Sequence, residues 1–445
     1  MSATLGSVSA ARGEEYVVRL DPGQDPAQRA AADAVRFGGT VEFVYRNALL
    51  GYAMNLPSDQ ADALAASKGV AAVERAAQFT PAAAPSSTCP FDFCQFVPRG
   101  IDRIDGDSSS TKSGDGKGSV PVNVAVLDTG IALDQPDLNV VGGVDCTGSG
   151  TIDDQGSPDF AFGHGTFVAG VIGARDDASF VVGAAPGARL YAVKVGASQR
   201  DNLTDPGILC GIDWVTSTRT DSDPGNDIAV ANMSLGRSAK GNDETPCGAP
   251  GATALHEAVC AMVRAGVVPV VSAGNDGEDI DNWAPARFNE VLTVTAMADF
   301  DGAPGAAGTI VPGSVCAEIT AGDDGTIFAE NRYAGFSNFV TLADDRAHTV
   351  AAPGVCIPST VRPATGSYVG LAHGTSFAAP HVSGTVALCI ATGACRGLTV
   401  PQIIAKIVSD AGQYTLKHPG FGFSGDPLHP VAGRYYGYLV RAAAY

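Results

Sequence analysis

Val122-Asn123-Val124-Ala125-Val126-Leu127 runs directly into Asp128-Thr129-Gly130. A short, near-continuous apolar run closed by a turn tripeptide suits a strand covered on both faces better than one with a wet side. Three further runs repeat the pattern, Arg189 to Val195, Ile228 to Ser234 and Val267 to Ser272, and helix-length stretches lie between them. Strands alternating with helices in this way imply an α/β domain, a mostly parallel sheet with helices on both faces. Asp128 then stands at the carboxyl end of a strand, where open α/β sheets place their clefts. Taken alone, Asp-Thr-Gly is equally well an ordinary turn after a strand.

Upstream of this domain, residues 15–80 read as a separate small α+β unit. Glu15 to Leu20 alternates like a strand, Pro26 to Phe37 is Ala-rich with Pro at a helix start, and Thr40 to Tyr45 and Leu50 to Leu56 are strand-like. Ser58 caps a helix to Lys68, and Val70 to Glu74 returns as a strand. The order is βαββαβ, a ferredoxin-like plan. Residues 1–14 are taken as a disordered start. Residues 81–96 form a junction whose Ala, Pro and Ser content, heaviest from Thr80 to Pro90, marks an exposed and cleavable segment. The larger domain occupies 97–445, with a Ser/Gly/Asp surface loop at Asp105 to Gly118 and a Gly-rich polar insertion at about 301–330.

With 47 acidic against 28 basic residues the net charge is −19, nearly all of it downstream of residue 90. That sign argues against a nucleic-acid partner, because phosphate binding needs the opposite one. No run reaches the roughly 18 apolar residues of a membrane span. Ten cysteines, even in number and without Cys-x-x-Cys or zinc spacing, favour structural disulfides in an oxidising compartment. Cys89 with Cys94 and Cys389 with Cys395 are close enough in sequence to pair, with buried free thiols as the plain alternative. A secreted protein is therefore expected. Met1 to Arg12 lacks the charged head and apolar stretch of a leader, so the leader is expected to have been removed. Asn202-Leu203-Thr204 fits a glycosylation sequon, of use only in a eukaryotic secretory host.

Two further segments carry chemistry. His164 lies in Gly163-His164-Gly165-Thr166, ahead of a run of apolar and small residues that suits a helix packed on a sheet. An imidazole there is either a cleft base or a histidine satisfied by local hydrogen bonds. Ser376 lies in Gly374-Thr375-Ser376-Phe377-Ala378-Ala379-Pro380-His381, ahead of the apolar run Val382 to Ile390. A serine at a helix amino end sits in the positive field of the macrodipole, which favours the oxyanion formed when its Oγ attacks a carbonyl. The plain alternative is a serine that caps a buried helix.

Taken in order, Asp-Thr-Gly, His-Gly-Thr-x-Val-Ala-Gly and Gly-Thr-Ser-x-Ala-Ala-Pro-His resemble the three signatures of the subtilisin superfamily, over most of residues 97–411. The chain order Asp, His, Ser separates that family from chymotrypsin-like and α/β-hydrolase enzymes. Residues 15–80 resemble its inhibitor propeptide, particularly Ala48-Leu49-Leu50-Gly51-Tyr52 and Val70 to Glu74. Pro98 to Asp105 is similar to the mature start of proteinase K relatives.

The resemblance implies a serine endopeptidase with Ser376 as nucleophile, His164 as base and Asp128 as its orienting carboxylate. Asn275 is implied as an oxyanion donor, Ser234-Leu235-Gly236 as the segment that pairs with substrate, and Gly274 as a pocket wall. Protein or peptide substrates, a self-processed zymogen inhibited by its own propeptide, and a monomer follow as expectations. The chemistry requires no cofactor. A structural calcium is conceivable for the family, and Asp299 lies where relatives carry a calcium-ligating acid, but no metal site is assigned.

Phe167 stands where relatives often have a second His, and Phe377 where they have Met, so altered packing near the cleft is expected. His373 and His381 flank Ser376, but a helix would aim both elsewhere. His256-Glu257 opens like a zinc-protease motif that Cys260 breaks. Two rival readings are a pseudoprotease that binds peptides without cutting them and a serine hydrolase acting on esters or lipids; no Gly-x-Ser-x-Gly elbow surrounds Ser376 to support the latter.

Overall fold

The computed structural model describes residues 14–21, 23–45, 51–75, 95–154, 163–196, 205–239, 247, 254–305, 329–362 and 368–445. The expected disordered start, the segment 80–90, Cys89 and Cys94, Ala48 to Leu50, the Asn202 sequon and most of the insertion at 301–330 lie outside them. The chain divides at Pro81 into two units, Met1–Pro81 and Ala82–Tyr445.

The first unit runs β1 (Glu14–Leu20), α1 (Pro26–Phe37), β2 (Thr40–Tyr45), β3 (Gly51–Leu56), α2 (Ala61–Ala65), β4 (Val70–Arg75). Its strands lie in the order β2-β3-β1-β4, every pair antiparallel. Local sequence sets α1 at both ends. The Asp25 carboxylate accepts from the N–H groups of Ala27 and Gln28, Pro26 supplies its fixed φ at the first turn, and Gly38 closes the helix at φ 72°. Tyr52, Met54 and Leu56 alternate inward from β3 to meet Val18, Leu20, Phe37 and Leu64. The helix expected over Ser58 to Lys68 is shorter: a 3₁₀ turn at Ser58–Gln60 leads into α2, which stops at Ala65. Ser67 Oγ donates back to the Ala63 carbonyl, and Gly69 turns the chain at φ 87°.

In the second unit the elements are α3 (Arg99–Arg103), β5 (Asn123–Asp128), β6 (Val140–Asp145), α4 (His164–Gly173), β7 (Arg189–Lys194), α5 (Asp205–Ser217), β8 (Val230–Met233), β9 (Arg237–Ser238) and α6 (Ala254–Arg264). They continue with β10 (Val268–Ser272), β11 (Trp283–Ala284), β12 (Leu292–Ala298), β13 (Arg332–Tyr333), β14 (Thr349–Pro353), β15 (Ile357–Thr360), β16 (Val369–Ala372), α7 (Thr375–Ala391), α8 (Val400–Lys417) and β17 (Tyr438–Leu439). The main sheet has the order β17-β14-β12-β10-β8-β5-β7-β6, every neighbour parallel, with β13 antiparallel on β12. From β5 the chain fills one side of the sheet with β6 and β7, then crosses to β8 and onward. The strand order thus reverses between β5 and β8, the position at which such sheets open a crevice.

The apolar runs are buried on both faces, as their composition implies. Along β5, Val124 and Val126 enter one core with α4, α7 and α8, while Ala125 and Leu127 enter the other with α5 and α6. In β7, Leu190 and Ala192 go with the first core, Tyr191 and Val193 with the second. Burying a Val or Leu side chain contributes about 1.5–3 kcal/mol, so each strand is held from two sides.

Disulfides join Cys146 to Cys210, Cys247 to Cys260 and Cys389 to Cys395. Cys356 is also disulfide-bonded, and none of the described cysteines is a free thiol. The last of the three links is one of the two suggested by sequence spacing. Among the described residues no helix is long and apolar enough to cross a membrane.

One buried acid makes stability pH-dependent. Asp137 is 1% exposed, and burial, only partly offset by a hydrogen bond from the Val181 N–H, pushes its carboxyl up to about 8. The unfolded carboxyl titrates near about 3.9. Between these values the folded chain holds a proton that the unfolded chain has released, so this group's contribution to stability falls as pH rises from about 4 to about 8. Asp137→Asn is expected to flatten that slope, as read from urea midpoints measured across the pH range.

Candidate active site

Asp128 is the last residue of β5 and is 3% exposed. His164 is the first residue of α4. Its Nδ1 lies 2.8 Å from Asp128 Oδ1 and 2.9 Å from Oδ2, a geometry in which Nδ1–H donates to the carboxylate and the lone pair is left at Nε2. The amino end of α4 is fixed from outside, because Gly163 caps it with no side chain. Thr129 Oγ1 accepts from the Gly165 N–H at 3.0 Å, and Asp154 Oδ2 accepts from Thr166 Oγ1 at 3.1 Å. Gly165 is required by the close approach itself: a Cβ there would lie 2.1 Å from the Gly130 carbonyl oxygen and 3.1 Å from Asp128 Cβ.

Ser376 is the second residue of α7 and is buried, at 8% exposed the most accessible residue of its first turn. Pro380, four residues on, has no N–H to give to the Ser376 carbonyl. Ser234 Oγ donates to that carbonyl instead, at 2.7 Å. Ser234 Oγ in turn accepts from Asn232 Nδ2 at 2.9 Å, and Asn232 Oδ1 accepts from Ser383 Oγ at 2.8 Å. These buried groups tie α7 to the end of β8 at two levels. The Ser376 hydroxyl itself donates to the Ser234 carbonyl over a long 3.3 Å. Phe377, next in the chain, has its ring centroid 5.3 Å from that of His164 and 4.6 Å from that of Phe167. Phe167 and Phe377, the two residues expected to alter packing near the cleft, therefore pack on each other, beside the imidazole.

Asn275 follows β10 and is exposed. Its Oδ1 accepts from the N–H of Thr375 at 2.8 Å and from the Thr375 hydroxyl at 2.9 Å. That fixes the amide's orientation and leaves Nδ2 on the side of Gly374 and the α7 amino end. The Gly274 N–H donates to Thr375 Oγ1 at 3.1 Å. Leu235 is buried in the core beneath, and the Ser234 side chain is committed to the Ser376 carbonyl, so these two residues can offer a ligand only their backbone. Trp283 Nε1 packs against Gly236, 2.0 Å from where a Cβ would be, so no side chain fits at this position.

Neither neighbouring histidine competes for the role of base. His381 is fully buried, its Nδ1–H donates to the Phe377 carbonyl at 2.8 Å, and burial lowers its pKa to about 4. The His373 ring lies against Phe336. His256 meets Glu290 at 2.8 Å beside Cys247 and Cys260, but those two cysteines are joined to each other, and a disulfide is not a thiolate ligand. Asp299, Asp301 and Glu330 bring carboxylate oxygens within 4.8 Å of one another. Oxygen donors of this kind suit calcium, yet the Arg103 guanidinium already holds Asp299 at 2.8 Å, with both side chains fully buried. The donor set is therefore a poor fit for a further cation.

Sequence reasoning missed the links that hold the site: Asn232, Ser383, Thr375 and Asp154. A signal was present at Asn232, the polar residue inside an apolar run, and at Pro380, whose missing N–H demands a substitute donor.

A model of the subtilase family matches residues 120–424. Among relatives, the chain is 32% identical over 299 residues to subtilisin DY of Bacillus licheniformis, covering 66% of this chain and 85% of that one. It is 33% identical over 302 residues to subtilisin NAT of Bacillus subtilis subsp. natto, covering 67% of this chain and 62% of the relative. It is 30% identical over 375 residues to M-protease of Shouchella clausii, covering 84% and 77% respectively. Among solved structures, a cold-adapted subtilisin-like serine proteinase superposes with a TM-score of 0.50 at 24% identity, covering 77% of this chain and 97% of that one, a likeness of fold. With a matched family domain spanning the strand that ends in Asp128, the helix that begins at His164 and the helix that carries Ser376, this chain belongs to the subtilase family of serine-type endopeptidases.

Proposed function

We propose that this chain is the zymogen of a secreted endopeptidase in which Ser376, His164, Asp128 and Asn275 carry the chemistry. The observation that supports it most directly is the buried Asp128–His164 pair, at 2.8 and 2.9 Å, whose imidazole lies 5.3 Å from the ring of Phe377, the residue next to Ser376 at a helix amino end. Rotation about its Cα–Cβ bond swings the Ser376 hydroxyl from the Ser234 carbonyl to His164 Nε2. Its Oγ then bonds to the scissile carbonyl carbon as its proton passes to Nε2, and Asp128 stabilises the imidazolium. The carbonyl oxygen becomes an oxyanion, received by Asn275 Nδ2 and the Ser376 N–H at the positive end of α7. Collapse breaks the C–N bond, with His164 returning the proton to the leaving amine. Water then attacks the acyl-enzyme by the same route in reverse.

The backbone of Ser234-Leu235-Gly236 and of Gly274 lines the approach to Ser376 and is suited to pairing with an extended peptide, whatever its side chains. Protein segments that are unfolded or loop-like are the substrates such pairing admits. In this reading the unit of residues 14–75 is an intramolecular inhibitor and folding template. Its separate core and the Ala/Pro/Ser-rich segment after it support the assignment. A template suits a parallel sheet whose strands come from distant parts of the chain, a topology that folds slowly. Disulfides in every described cysteine position support an oxidising, extracellular setting.

A fluorophosphonate probe is expected to modify Ser376 in the wild type and to leave Ser376→Ala unmodified. An unmodified wild type would instead support a peptide-binding protein without activity. On refolding, Ser376→Ala is expected to stay full length, and a clipped product of mature size from that variant would refute self-processing. Asn275→Ala is expected to lower kcat about 10²–10³-fold with little change in KM, the magnitude measured for the corresponding donor of subtilisin. Asn232→Ala removes the acceptor of the buried Ser383 hydroxyl and one of the two hydrogen bonds of Ser234 Oγ, and is expected to destabilise the protein by about 1–3 kcal/mol, seen as a lower urea midpoint.

A further inference from the structure

Trp283 occupies the recess between the two glycine-bearing segments that flank Ser376. A Cβ on Gly236 would lie 2.0 Å from the indole Nε1, and one on Gly274 would lie 3.0 Å from it. Both distances are below or at the limit of van der Waals contact, so the bare backbones of these glycines accommodate an indole that is already present. The ring is held from behind. Trp283 pairs with Ser238 in the two-residue ladder of β9 and β11, the Ala239 N–H donates to the Asn282 carbonyl at 2.8 Å, and Arg287 Nη1 donates to the Ala239 carbonyl at 3.0 Å. Asn338 Nδ2 donates to the Ala273 carbonyl at 2.9 Å and lies 2.4 Å from the same absent Gly274 Cβ. The space a Gly274 side chain would need is therefore taken by an amide and an aromatic ring together.

The polar edge of the ring gives a second indication. Nε1–H is buried and has no hydrogen-bond partner among the described residues. That edge is sealed against the Gly236 and Gly274 backbones, so the indole leaves no room beside the two glycines.

We propose that Trp283 is a specificity-determining residue, filling the recess beside Ser376 so that only a residue with a small side chain, Gly, Ala or Ser, is accepted immediately before the cut. The inference rests on the peptidase reading and on Gly236 and Gly274 as walls of that pocket. Aromatic and long aliphatic side chains would have to displace an indole anchored by its own strand, whereas Gly, Ala and Ser bring little or no side chain to the recess. Even one methylene too many in an apolar pocket is discriminated by about 10–200-fold, and a whole ring exceeds that.

The test is a set of internally quenched peptides that differ only in the residue before the scissile bond, cut by the matured wild type, Trp283→Gly and Trp283→Phe. Wild type is expected to show kcat/KM at least about tenfold higher for Ala or Ser than for Phe or Leu. Trp283→Gly is expected to reverse that order by opening the recess, and Trp283→Phe, which keeps the bulk and the fold, to retain it. A wild type that cuts after Phe or Leu as fast as after Ala overturns the proposal, whether or not the glycine variant folds. So does an unchanged profile in a folded Trp283→Gly. Fluorophosphonate labelling of the same samples separates the two levels of failure. Normal labelling with the wrong profile refutes the role of Trp283 alone, while no labelling of the wild type refutes the peptidase reading and this inference with it.

Discussion

Proline interrupts the hydrogen-bond ladder of a helix, and in α7 the interruption falls where it frees the carbonyl of Ser376. A buried carbonyl without a donor is expensive, and Ser234 Oγ satisfies this one from the end of β8. The hydrogen bond fixes the distance between the helix that carries the serine and the segment that runs past it. Asn232 and Ser383 repeat the connection one level deeper, so the helix is held against both sliding and rotation. The remaining groups of the site take their places relative to this contact. Thr375 is held by Asn275, Gly274 by Thr375, and the Phe377 ring lies against the imidazole.

The sheet supplies the second half of the arrangement. Strand order reverses between β5 and β8, and both strands end at the site: β5 in Asp128, β8 just before Ser234. Helices α4 and α7 pack on the same face, which lets one bring the imidazole and the other the hydroxyl to the same edge. The Asp128–His164 pair is nearly sealed from water, and low local dielectric strengthens a charge-assisted hydrogen bond of this kind. In the proposed mechanism, the charge that would develop on His164 during acylation meets a carboxylate already in position, with little solvent to reorganise.

Much of this is legible in the sequence alone. The runs at Val122, Arg189, Ile228 and Val267 correspond to β5, β7, β8 and β10, because strands covered on both faces need nothing but apolar residues. Strands β6 and β12 escaped notice for the opposite reason. Gly142 and Gly143 give β6 little apolar signal, and β12 interleaves threonines with its apolar residues. Those threonines are buried all the same, Thr293 donating to the Ala286 carbonyl at 2.6 Å and Thr295 to that of Tyr436. The motifs around Asp128, His164 and Ser376 could be read locally. The Ser234–Ser376 contact and the seat of Trp283 between Gly236 and Gly274 could not, since they join residues whose proximity only the folded chain creates. The Cys146–Cys210 link, across 64 residues, was hidden for the same reason, whereas Cys389–Cys395 spans 6.

Because β5 gives Val124 and Val126 to one core and Ala125 and Leu127 to the other, it has no position that is neutral to replacement. Over evolutionary time, drift that is tolerated on a solvent-facing strand would here disturb one packed layer or the other and shift the backbone that ends in Asp128. The strand is thereby constrained from both layers at once, so a replacement anywhere along it is felt at the acid that ends it.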